Sequence, residues 1–236
     1  MLEIFLRYHA AVETWETSVI TSALLSSIPS IRHGFGGEGE LVPRVLQPAW
    51  EVRPEKKQVH GTRVVRVVEE RQRVGEADAF HTEQAGIPVS VITADCVPLL
   101  LARRDGRHVA AVHAGWRGLA DGVIPRVLDE LGAGEGWVAA VGPTICAACY
   151  EVSEELALRF AQQFAAIPAG SLLPRHRHLD LRAVADYQLR EGGIKEIDHV
   201  GGCTCCACDG TGNHLFRSYR RGDRNSQQHA GLVIVG

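Results

Sequence analysis

Three side chains in this sequence could together hold a transition metal: His60, Cys96 and His113. Two imidazoles and one thiolate suit Zn²⁺, and three protein ligands leave the fourth tetrahedral position open, as a catalytic site needs. One thiolate leaves such a centre with a net charge near +1, enough to acidify water or attract an anion. The ligands are 36 and 17 residues apart, far from any short zinc signature. On spacing alone a plainer reading stands beside the metal. Cys96 and His113 could be core residues at strand ends, since cysteine is often buried with no metal at all.

The surrounding elements must bring these side chains together. His60 lies in Lys57-Gln58-Val59-His60-Gly61, just before a β-branched run at 64–68 that reads as a strand. Residues 88–93 read as a buried strand, and 96–102 as a second, entered past the polar break Ala94-Asp95. The Asp105-Gly106 turn returns the chain into a third strand at 108–113, paired back on the second. A tight turn through Gly115-Trp116-Arg117-Gly118 precedes a helical pattern from about Leu119 to Leu131, ended by Gly132 and Gly134. Further on, 137–141 reads as a strand. A helix opens at Ser153, with Glu154 and Glu155 in its first turn, and runs to about Phe164. A helix at 179–189 and late strands at 197–200 and 230–235 complete the outline, and residues 36–57 read as loop. Strands and helices alternate without strict βαβ order, so the expectation is one α+β domain over 1–236, a layered sandwich.

Composition narrows the function classes. An apolar fraction of 45% and a charged fraction of 22% are ordinary for a folded globular chain. The net charge is −3 and there is no long basic run, so nothing demands a nucleic-acid or anionic-membrane partner. No stretch approaches the length of a membrane helix, and the charged N-terminus 1–7 does not read as a targeting segment. Seven cysteines, an odd number, fit reduced thiols in a cytoplasmic protein better than a disulfide scaffold.

Other residues carry two readings each. Arg117, between a strand end and a helix start, could hold phosphate or simply cap the turn. Asp95 beside Cys96 could orient a histidine ligand or act as acid or base, or else satisfy the strand break. Gln58 could reach a bound substrate or the metal-bound water, or only pair with backbone. Arg220 and Arg221 could join an anion pocket or lie on a solvated turn. Cys203, Cys205, Cys206 and Cys208 hold two interleaved C-x-x-C spacings near His214. Adjacent Cys205 and Cys206 resist chelating one ion together, so the cluster is not expected to be a second metal site. Cys146 and Cys149 are read as packed thiols.

Several segments occur in one order: Gln58-Val59-His60-Gly61, Thr93-Ala94-Asp95-Cys96-Val97-Pro98, His113-Ala114-Gly115-Trp116-Arg117-Gly118, Gly142-Pro143 with Tyr150-Glu151-Val152, Cys203-Thr204, and Ser218-Tyr219-Arg220-Arg221. Together they resemble the YfiH-type family, the laccase-domain or polyphenol-oxidase-like purine nucleoside phosphorylases, from about Ile31 to the C-terminus. The resemblance implies an αββα sandwich similar to certain cysteine hydrolases, with zinc on His60, Cys96 and His113. It implies phosphorolysis of adenosine, inosine and methylthioadenosine, with adenosine deamination alongside. Beside that triad, read residue by residue, the candidate site takes Asp95 and Gln58 as catalytic residues and Arg117, Arg220 and Arg221 as phosphate-binding ones. A bacterial branch of the family is linked to editing of cell-wall precursors, so a zinc amidase is one alternative. A non-catalytic partner-binding protein is another. Copper is the less favoured metal, because only His176-Arg177-His178 offers a His-x-His pair. The chain departs from the family in a short segment before Gln58, in His33-Gly34-Phe35-Gly36-Gly37, and around Ser226-Gln227-Gln228-His229.

Overall fold

The computed structural model describes residues 19–236; the expectation for the N-terminal segment 1–7 lies outside them. In chain order the elements are α1 (Ala23–Ser26), β1 (Ile31–Phe35), β2 (Glu55–Lys57), β3 (Val64–Arg66), β4 (Arg73–Glu76), β5 (Ala79–Thr82), β6 (Val89–Thr93), β7 (Val97–Arg103) and β8 (Val109–Ala114). There follow α2 (Trp116–Ala120), α3 (Val123–Leu131), β9 (Trp137–Val141), α4 (Glu154–Gln163), α5 (Ala169–Leu172), α6 (Leu181–Glu191), β10 (Glu196–His199) and β11 (Gln228–Ile234).

Two sheets carry the fold. A six-stranded mixed sheet has the order β10-β9-β7-β8-β5-β3, and a three-stranded antiparallel sheet the order β1-β11-β6. Alternation along the central strands explains how both faces of the larger sheet are buried. Val97, Leu99 and Leu101 of β7, with Ala110 and Val112 of β8 and Ala139 and Val141 of β9, meet helices α3 and α6. The intervening Leu100, Ala102, Val109, Ala111, Val138 and Ala140 face Val89, Val91 and Leu232 of the smaller sheet. A 3-10 helix, Arg44–Val52, packs on the outer side against β1 and β11. The chain is a mixed α+β sandwich of layered sheets, as its patterning implies.

Local chemistry accounts for the boundaries. Gly106 takes φ +70 in the turn between β7 and β8, which then pair antiparallel from Val97 opposite Ala114 to Ala102 opposite Val109. Ser153 caps α4 by accepting from the Leu156 N–H, and Asp180 caps α6 by accepting from Arg182 and Ala183.

Three expectations change. The helix expected over about 119–131 is split into α2 and α3, because Gly122 sits in the left-handed region at φ +80 between them. The loop expected at 36–57 contains the 3-10 helix and β2. Finally, β1, β4, β5 and α5 carry no clean periodicity in the sequence and are additional elements.

Candidate metal centre

The crossover between the two sheets builds the site. β6 belongs to the smaller sheet and β7 to the larger, so the chain passes from one to the other through Ala94, Asp95 and Cys96. Asp95 takes φ +100 to make that passage, an uncommon conformation for a residue other than glycine. Its carboxylate and carbonyl hold the strain in place. Oδ1 accepts from the Thr204 hydroxyl at 2.6 Å and Oδ2 from the Arg220 N–H at 2.7 Å. The carbonyl accepts from the Thr144 hydroxyl at 2.6 Å and the Ile145 N–H at 3.0 Å. Three distant loops therefore converge on the residue before Cys96.

His113 comes from the far end of β8, and His60 from the loop after β2. The structure brings His60, Cys96 and His113 together, with one ligand atom from each within 4.8 Å of the others. The two imidazoles stand edge to face, 4.7 Å between centroids. His113 is buried, Cys96 half-buried and His60 exposed, so the donor set opens outward on the His60 side.

One residue that sequence reasoning passed over organises this set. Asp78, fully buried at the entry to β5, accepts from His113 Nδ1 at 2.8 Å. That bond leaves the opposite ring nitrogen, Nε2, to face the ligand set, the usual task of a carboxylate behind a metal-binding histidine. The same carboxylate accepts from the backbone N–H groups of Val59, His60 and Gly61 at 3.2, 2.9 and 2.7 Å. It thereby supports His60 at its left-handed φ of 61. The Asp78 carbonyl also accepts from the His113 N–H, at 2.7 Å. A single buried carboxylate thus orients both histidines, a role that was one of the readings open for Asp95. The only signal in the sequence was an acidic residue inside the apolar run Ala77-Asp78-Ala79-Phe80.

The electrostatics agree with a ligand cluster. Burial pushes the Cys96 thiol up, but His113 and His60 pull it down further, to about 6. Burial lowers His113, while Cys96 and Asp78 raise it more strongly, to about 9. The mutual shifts favour the thiolate at Cys96, the form that ligates a metal. Gly115 supplies the space. A Cβ there would stand 2.9 Å from His60 Cδ2 and 3.0 Å from Cys96 Sγ. The donor set, the buried carboxylate behind it and the Cβ-free cradle all fit a metal ion.

The remaining expected residues separate into two groups. Arg117 is exposed and stacks on Trp116 at 4.9 Å, and its side chain makes no ion pair or hydrogen bond among the described residues. The other side chains are already engaged. Gln58 donates to the Ile92 carbonyl at 2.8 Å and accepts from the Ile92 N–H at 2.7 Å, which binds the His60 loop to β6. Arg220 donates to the carbonyls of Cys149 and Glu151, and Arg221 to those of Thr204 and Cys205 and to Asp223. Tyr150 joins the neighbourhood: burial pushes its hydroxyl up to about 12, Cys96 and Asp95 add to this, and Arg220 and Arg117 oppose it.

The layered α+β sandwich that carries this site is a fold with solved examples. A Neisseria meningitidis protein of the DUF152 family superposes with a TM-score of 0.76 at 23% identity, covering 93% of this chain and all of that one. YlmD from Geobacillus stearothermophilus gives 0.74 at 24% identity, covering 94% and 98%. Residues 44–235 match the family described as multi-copper polyphenol oxidoreductase laccase, and the chain belongs to that family. Among its relatives, a Xylella fastidiosa protein named purine nucleoside phosphorylase is 36% identical over 188 residues, covering 76% of this chain and 71% of its own. A Streptomyces coelicolor protein of the same name is 38% identical, covering 75% and 72%. The Escherichia coli purine nucleoside phosphorylase YfiH is 33% identical, covering 79% and 73%. No helix of the described residues is long and apolar enough to cross a membrane.

Proposed function

We propose that this chain is a metal-dependent purine nucleoside phosphorylase, with Zn²⁺ held by His60, Cys96 and His113. The observation that carries the reading is the convergence of these ligand atoms around Gly115, oriented by buried Asp78. The relatives named purine nucleoside phosphorylase supply the reaction class. When bound, the metal supplies Lewis acidity next to the substrate. Zinc is preferred to copper because two imidazoles and one thiolate with an open side match catalytic zinc, and the family's copper description calls for histidine clusters. Among the described residues the two metal-competent groups contain two histidines between them.

The chain's own residues fill the other roles. Arg117, exposed and unpaired, binds phosphate and holds it against the ribose C1′. A phosphate oxygen bonds to C1′ as the C1′–N9 bond breaks, that electron pair leaves on the purine, and the purine takes up the proton that hydrogen phosphate gives up. Asp95 and Gln58 act as positioning residues, because their polar atoms are committed to Thr204, Arg220 and the Ile92 backbone. Arg220 and Arg221 position loops in the same way. Adenosine deamination is the finer activity of this reading.

The test is release of base and ribose 1-phosphate from inosine, adenosine and methylthioadenosine with inorganic phosphate, using zinc-loaded protein. Phosphate-dependent cleavage in the wild type, lost in Cys96→Ala, is the expected result. Fully metallated protein that cleaves none of the three nucleosides would overturn the reading. Inosine accumulating from adenosine without phosphate would identify the deaminase activity.

A further inference from the structure

The second concentration of chemistry lies apart from the triad. Cys146-Ala147-Ala148-Cys149 is a C-x-x-C turn after β9, wound as a short 3-10 helix. Cys203-Thr204-Cys205-Cys206 is another, 57 residues on from Cys146 to Cys203. The two loops lie side by side: Thr144 bridges Cys203, and the Thr204 N–H donates to the Thr144 carbonyl at 3.2 Å. All four Sγ atoms of Cys146, Cys149, Cys203 and Cys206 fall within 4.8 Å of one another. Cys146 and Cys149, read from the sequence as packed thiols, face Cys203 and Cys206; three of the four are half-buried and Cys206 is exposed, and Cys149 and Cys203 also pack against the main core.

We propose that Cys146, Cys149, Cys203 and Cys206 form a second metal centre, a closed structural Zn²⁺ site that pins the two loops clamping Asp95. The spacing matches. Zn–S bonds of about 2.3 Å place tetrahedral sulfurs about 3.8 Å apart, and Cys146 Sγ lies 4.0 Å from Cys206 Sγ. A disulfide needs about 2.05 Å, and all four cysteines are free. An iron–sulfur cluster would hold the two pairs further apart, to admit its bridging sulfides. The outer shell is also built. The Cys146 N–H donates to Cys203 Sγ at 3.2 Å, as backbone N–H groups do toward metal thiolates. Four thiolates on one divalent cation carry a net charge near −2. Arg220 and Arg221 stand beside it, with their guanidinium groups on the carbonyls of Cys149 and Cys205. Cys205 and Cys208 are left out, which removes the difficulty of two adjacent ligands. Through Thr144 and Thr204 the site reaches Asp95, and through Asp95 it sets the approach to Cys96.

The test counts metal per chain by elemental analysis of protein purified from zinc-supplemented medium. Two equivalents of zinc are expected in the wild type, one in Cys96→Ala and one in Cys206→Ser. A single equivalent that vanishes in Cys96→Ala, or a Cys206→Ser protein with wild-type zinc, would overturn the proposal, as would iron in place of zinc. If Cys206→Ser fails to fold, Cys206→His keeps a ligand at that position and should retain two equivalents. On the intact wild type, alkylation resolved by mass spectrometry should find Cys146, Cys149, Cys203 and Cys206 protected until a strong chelator is added. Equal alkylation of these four with and without chelator refutes the site. None of these readouts depends on phosphorylase activity, so the two readings fail separately.

Discussion

The two cysteine-bearing clusters of this molecule are built on opposite plans. The triad draws His60, Cys96 and His113 from a loop, a sheet crossover and a strand end, and leaves one side exposed. The four-cysteine cluster draws paired ligands from two short turns and closes on itself. Three ligands with an open position suit chemistry, and four thiolates suit stability. The cost is distributed in the same way. Left-handed backbone at His60 and Asp95 lies at or beside the triad, held by buried hydrogen bonds, and none of the four clustered cysteines takes a positive φ.

The largest expected effect separates the two sites outright. Cys96→Ala should reduce phosphorolysis to background while leaving zinc at the four-cysteine site, measured by kinetics and metal analysis together. Next, Asp78→Asn should weaken metal binding at the triad by about 10–100-fold, read by competition with a chromogenic chelator. Wild-type affinity in that variant would show that Asp78 serves the fold alone.

Gly115→Ala tests the cradle rather than the ligands. The added Cβ would crowd His60 and Cys96, so triad affinity should drop about tenfold with secondary structure unchanged by circular dichroism. A smaller effect is expected at Arg117, where Arg117→Ala should raise the KM for phosphate several-fold, with a lesser change in the nucleoside KM. An equal rise in both would assign Arg117 to general packing on Trp116.

A histidine remote from both clusters provides the control for pH. Burial holds His33 neutral, lowering it to about 4, although the Asp198 carboxylate acts in the opposite direction; the Ser22 N–H donates to Nε2, which only the neutral ring can accept. The unfolded chain therefore takes up that proton first. Stability is whole above pH 6.5 and is lost as pH falls toward 4, by about 3 kcal/mol at most. Denaturant midpoints across that range should show the loss, and His33→Gln should flatten it.

Legibility differed between the two clusters for a physical reason. The Asp105-Gly106 hairpin, the Ser153 cap and strand β9 were readable because each depends on a few neighbouring residues. The triad was suggested by ligand type and singled out by the ordered segments around it. The four-cysteine cluster was not legible because its members are adjacent only after β9 and β10 pair in parallel and carry their following loops together. Asp78 was missed for the same kind of reason. Its role depends on β5 pairing with β8, which sets it against His113.

The sequence by itself determined the α+β class, the helix and turn chemistry, and which side chains had the right donor atoms, because propensity, capping and alternation act over a few residues. Tertiary structure alone decided which donors meet, which of the candidate arginines is engaged by backbone carbonyls, and which carboxylate stands behind the histidines. Those outcomes are set by strand register and sheet crossover, which join positions tens of residues apart.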